Sequence, residues 1–174
     1  MATYAIVDDG LTGPWDTVLG DVASDWEAAD PGLEPGNGGG LAARRSLETA
    51  VILCLMSDRY ATVEDGRADE DDPRGWAGDG FDVRADLGEA ELGSHLWLLR
   101  RQALTAETAR RAEDMAHVAL RPLIAQGAFA RIDAVATPDP EQAQLLLAIA
   151  GYGDAGDQLY DRKFALLWAK EGPR

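Results

Sequence analysis

The chain has 174 residues, enough for one domain with a proper core but not for two. Its formal charge is −15, from 31 acidic and 16 basic residues, and this excludes binding to naked nucleic acid through phosphates and disfavours anionic membranes. A hydrophobic fraction of 46% excludes wholesale disorder. Three readings of the acidity stand: solubility, a basic partner surface, or a saline environment. One cysteine, Cys54, sits in the most apolar run, so no intrachain disulfide can form and the thiol reads as a small buried hydrophobe. The start lacks a basic head and turns acidic at Asp8, so no secretory leader is expected. The longest apolar run, Ala50 to Met56, is too short for a bilayer, and a protein made in a cytoplasm is expected.

Residues 1–40 read as an irregular arm. Tyr4-Ala5-Ile6-Val7 fits a short strand ended by Asp8-Asp9-Gly10, and Trp15, Val18, Leu19, Val22 and Trp26 fit a helix over Asp16 to Ala29. The run from Pro31 to Gly40 then reads as a flexible connector. Residues 41–174 read as the folded domain. Leu41 to Ser57 is predicted helical and, being apolar nearly all round, central.

Glu64 to Asp72 carries six carboxylates and reads as a solvated loop. A Ca²⁺ site is the competing reading, but a helix-loop-helix calcium hand needs a central glycine, and Gly66 is misplaced for it. Arg74-Gly75-Trp76-Ala77-Gly78-Asp79 reads as a tight bend whose glycines permit positive φ. Trp76 would either plug the core or anchor a partner.

Gly93 to Arg101 reads as a short helix capped by Ser94, with Leu96, Leu99 and Trp97 inward and His95 exposed in its first turn. Thr105 caps a long helix running to about Gln126. Its inward stripe is Ala109, Ala112, Met115, Ala116, Ala119, Leu120 and Leu123, with His117 beside it in a structural role. Pro122 should kink or shorten this helix, and Gly127 should close it. Alternation then predicts strands over Phe129 to Ala136 and Gln144 to Ala150. In a third strand Tyr160, Arg162, Phe164, Leu166 and Trp168 share a face. A terminal helix is the competing reading, opposed by that aromatic alternation. The fold class is α+β: two main helices on a small antiparallel sheet, the C-terminal β-meander.

Catalytic patterns are sparse. No Gly-rich phosphate loop, paired Cys or His, or Gly-x-Ser-x-Gly elbow is present, so no catalytic, cofactor or metal residues are assigned. The ordered motifs Ser46-Leu47-Glu48-Thr49-Ala50, Ser57-Asp58-Arg59, Arg74-Gly75-Trp76-Ala77-Gly78-Asp79 and Gly93-Ser94-His95-Leu96-Trp97-Leu98-Leu99-Arg100 resemble the phage Mu-type tail baseplate family, the late gene 46 products. The chain is more distantly similar to the baseplate wedge proteins that initiate tail sheath assembly. The resemblance implies a non-enzymatic structural part of a contractile tail baseplate, assembled in the host cytoplasm, in multiple copies of a six-fold particle.

Its implied partners are large wedge proteins, the sheath protein, and hub or tube proteins, with no nucleic acid and no membrane. It implies interface residues Arg74, Gly75, Trp76, Gly78, Asp79 and Trp97 around the bend. On the meander it implies Arg131, Tyr160, Phe164, Leu166 and Trp168, whose sheet edge would template the first sheath ring by strand pairing. Two rival classes remain: an acidic metal-binding virion-associated enzyme and an acidic nucleic-acid mimic.

Overall fold

The structure is a computed structural model, and it describes residues 4–6, 46–65, 72–75, 80–81 and 83–168. The helix expected over Asp16 to Ala29 and the connector to Gly40 lie outside these residues. The chain divides into two compact units, residues 1–8 with 52–174, and residues 9–51. The first unit is described here, together with helix α1, Ser46–Met56, whose second half belongs to it.

The elements are β1 (Tyr4–Ile6), α1, α2 (Ala106–Ala125), β2 (Arg131–Asp139), β3 (Gln144–Tyr152) and β4 (Gln158–Leu167). The strands form one antiparallel sheet in the order β1-β4-β3-β2. The α+β class with a C-terminal meander is what the alternation predicted, and the short β1 adds a fourth strand at the outer side of β4. No helix among the described residues is long and apolar enough to cross a membrane.

Period-two alternation decides which sheet face is buried. Register places Ala134 opposite Ile149, and Leu147 opposite both Ala136 and Phe164. On this face Ile132, Leu145, Leu147, Ile149, Tyr160, Phe164 and Leu166 are all buried. Helix α2 covers it, packing on β2 and β3. Its stripe of Ala109, Ala112, Ala116 and Ala119, with Leu120 and Leu123, lets the helix approach closely, and all six are buried. Met115 is only half-buried, at the stripe's margin. His117 is exposed, so the structural role expected for it does not hold: its position faces away from the sheet.

The Thr105 hydroxyl accepts from Thr108 N at 3.2 Å and caps α2. Gly127, at φ +77, turns the chain out of the helix. Pro122 neither ends nor shortens α2, which runs on to Ala125. The ladder bond it forfeits is the one to the Val118 carbonyl, four residues back on an exposed stretch where water can take its place. Phe129 then packs edge-on to Tyr160, with ring centroids 6.2 Å apart. A Cβ on Gly151 would lie 2.5 Å from the Phe129 ring, so only glycine fits beneath it.

Candidate functional site

Helix α1 ends at Met56, and its second half buries Cys54 and Leu55 while Leu53 stays half exposed. The helix is therefore sided at this end, not enclosed all round. Burial pushes the Cys54 thiol above its ordinary pKa, which suits an unreactive packing residue.

Beyond the helix, Ser57-Asp58-Arg59 runs beside Gly93-Ser94-His95 as a single parallel bridge. Ser94 N donates to Ser57 O at 2.9 Å and Arg59 N to Ser94 O at 3.1 Å. The chains come this close because residue 93 is glycine: at φ +99, a Cβ there would lie 2.6 Å from Ser57 O. Ser94 caps the following turn as its position suggested, its Oγ accepting from Leu96 N at 3.3 Å. The same hydroxyl also donates to Leu55 O at 2.6 Å, tying the end of α1 to that turn. That turn is a 3-10 helix, Leu96–Arg101. Leu96, Trp97 and Leu99 face inward, as their spacing predicted.

The carbonyls of Arg59 and Tyr60 are taken by the same segment. Trp97 Nε1 donates to Arg59 O at 3.0 Å. His95 Nε2 lies 2.8 Å from Tyr60 O, and since a carbonyl only accepts, Nε2 carries the hydrogen. His95 is thus a half-buried clamp, in place of the exposed residue expected.

The bend closes over this frame. Ala61 N donates to Pro73 O at 3.0 Å, and Arg74 adopts φ +53, supported by its N–H donating to Asp72 Oδ1 at 3.0 Å. The Arg74 guanidinium pairs with Asp58 Oδ2 at 2.5 Å and stacks 4.8 Å from the Trp97 ring centroid. Gly75, at φ +69, lies directly on Tyr60, leaving 2.3 Å between Tyr60 N and any Cβ. Arg74, Gly75 and Trp97 therefore converge on Asp58 and Tyr60. Trp76, Gly78 and Asp79 lie outside the described residues. Two aromatics near the bend face solvent: Tyr60 is 52% exposed and Phe81 86%.

The remaining meander residues divide by burial. Tyr160, Phe164 and Leu166 are enclosed on the α2 side of the sheet. Trp168 follows β4 and is partly buried, its indole N–H donating to Gln102 O at 2.7 Å. Arg131 is exposed, stacked 4.1 Å over the Tyr152 ring and paired with Asp133 at 3.2 Å.

Of the acidic run, Glu64, Asp65 and Asp72 are described. Asp65 accepts from Thr62 N and Oγ1, both at 2.8 Å, and these bonds hold its carboxyl below the usual range. Among the described residues no group of three or more His, Cys, Asp or Glu side chains could hold a metal ion. An open groove of about 150 Å³ runs between Gly93–His95 and α2, lined also by Arg59, Met115 and Val118. Its histidine already serves Tyr60, and Arg59 pairs with Glu91 at 2.7 Å, so the groove wall carries structural polar contacts.

Sequence reasoning missed Asp58, Tyr60 and Phe81 as parts of this site. The first lies inside a quoted motif, but its partner Arg74 is 16 residues away and no local pattern announces the pair.

Residues 47–158 match the family described as phage protein GP46. The baseplate protein gp46 of Escherichia phage Mu is 39% identical over 106 residues, which span 60% of this chain and 68% of that protein. No solved structure gives a significant match. The matched span holds α1 from its second residue, the bend, the Gly93–Arg101 run, α2 and the first two strands of the meander, so the chain belongs to the phage protein GP46 family.

Proposed function

We propose that this protein is a non-enzymatic, structural component of the baseplate of a contractile phage tail. The observation that carries the reading is the family match over residues 47–158, which span the bend, the clamp beneath it and α2, together with the 39% identity to the Mu baseplate protein. The geometry supports it: the quoted motifs build a rigid platform, not a catalytic cleft. Arg74, Asp58, Trp97 and Gly75 immobilise the bend, and Tyr60 and Phe81 offer exposed aromatic surface beside it. Exposed aromatics on a rigid support are the usual anchors of protein interfaces.

In this reading the bend, with Trp76, Gly78 and Asp79, docks a large wedge protein. Trp97, Tyr160, Phe164 and Leu166 serve that surface from within, by fixing the bend and the outer strand. The sheet, with Arg131 and Trp168 at its margins, pairs with strands of the sheath protein and templates the first sheath ring. Hub or tube proteins complete the neighbourhood, and several copies stand in a six-fold baseplate in the virion.

Trp76→Ala tests the docking surface. Loss of an anchoring tryptophan costs about 2 kcal/mol of binding, or roughly thirtyfold in affinity. Copurification of the wedge protein should therefore fall sharply while the melting curve of the isolated chain is unchanged. Undiminished copurification would remove Trp76 from the interface.

A further inference from the structure

We propose that the surface around the bend takes a basic partner: the face of the wedge protein that docks here presents arginine or lysine side chains around an apolar centre. The proposal rests on the docking reading above and gives that partner its chemistry.

Charge is unevenly spread along the chain. Residues 58–92 hold twelve carboxylates and four arginines, so this fifth of the sequence carries more than half of the net charge of −15. The described arginines of the stretch are engaged internally. Arg59 turns Nε and Nη2 to Glu91 Oε2, at 3.2 and 2.7 Å. Arg74 pairs with Asp58 and lies over the Trp97 ring. Arg84 grips both oxygens of Asp86, at 3.1 and 2.8 Å.

The remaining charge is acidic. Asp65 accepts only from the amide and hydroxyl of Thr62, Asp72 from the Arg74 amide, and Glu89 from the Arg84 amide. Among the described residues none of Glu64, Asp65, Asp72 and Glu89 has an ion-pair partner, and all four are exposed.

Apolar surface lies among these charges. Tyr60 and Phe81 are exposed, and so are Val63, Leu87 and Leu92. Internal contacts tie the two aromatic positions to one frame. Tyr60 lies under Gly75, Arg59 beside it reaches Glu91, and a Cβ on Gly80, the neighbour of Phe81, would stand 3.6 Å from Glu91 Oε1.

Exposed aromatics in an acidic surround select their partner. A second copy of this chain would set carboxylate against carboxylate, and like charges across a contact suppress association. An uncharged apolar face would strip water from the carboxylates and return no hydrogen bond. A basic face pairs with them, is drawn in from a distance, and lets the aromatics close on its apolar centre.

The association rate of the full-length chain with the purified wedge protein, followed by stopped-flow fluorescence, tests the assignment. Between about 50 and 500 mM salt it should fall by roughly tenfold or more, with little change in dissociation. The Glu64 side chain bonds to nothing among the described residues, so Glu64→Lys should leave the melting curve unchanged. The same variant should slow association by about threefold or more, as loss of a rim charge does. Glu141→Lys makes the same change of net charge in the exposed β2–β3 turn and should leave the rate near that of the parent chain. Association indifferent to salt and to Glu64→Lys overturns the basic-partner assignment and leaves docking at the bend standing; no association at any salt overturns both. Equal slowing by the two variants would place the effect in overall charge and overturn the assignment to the bend.

Discussion

Phe164→Ala is expected to lower the unfolding free energy by about 3–5 kcal/mol, the usual cost of emptying an aromatic site in a core. For a chain of this length that is a drop of roughly 10 °C in melting temperature. The ring is 1% exposed and stands opposite Leu147, itself fully buried, on the buried face of the sheet. Its partner Leu147 is held in the β3–β4 ladder and fully buried, so it is not free to swing into the space. The cavity would therefore persist. Thermal or urea unfolding followed by circular dichroism measures the loss, and a loss below about 1 kcal/mol would contradict the packing described here.

Gly93→Ala is the second large effect, with an expected cost of about 2–4 kcal/mol from left-handed backbone strain and overpacking together. The new Cβ would stand 2.6 Å from Ser57 O and 3.1 Å from Arg59 N, both backbone atoms that cannot rotate aside. The bridge between residues 57–59 and 93–95 would have to open, releasing the hydrogen bonds from Ser94 and Trp97 together. Indole fluorescence of the folded variant should report the displaced Trp97. Gly127→Ala is the natural comparison: its φ is +77, but nothing lies within 4 Å of a Cβ there. Only the conformational term remains, about 1 kcal/mol. Equal melting temperatures for the two variants would remove the steric part of the explanation.

The meander and α2 were legible in the sequence because their signals are local. Ile132, Ala134, Leu145, Leu147 and Ile149 alternate with more exposed neighbours, and Thr105 and Gly127 bracket the long helix. The start of the bend was legible, since Gly75 takes the positive φ expected of it. What supports it was not. Asp58 meets Arg74, His95 meets Tyr60, and Ser94 reaches back 39 residues to Leu55, and pairings at such separations leave no periodic trace. Ser94 looked like a cap because serine before an apolar run usually is one, and its Oγ does accept from Leu96 N; its second bond, to the Leu55 carbonyl, depends on the backbone approach permitted by Gly93 and was not legible. Nor does any local pattern announce Glu113 of α2, whose Oε1 accepts from Ala136 N at 2.8 Å across 23 residues.

The platform and its acidic surround both presuppose that the protein resides in the tail. Quantitative mass spectrometry of purified tails, fractionated into baseplate and tube-sheath parts, examines this most directly. The account predicts the chain in the baseplate fraction, at a fixed whole-number ratio to the other baseplate proteins across preparations. Its absence from washed particles, or a ratio that drifts like that of a loosely adhering contaminant, would contradict the structural role.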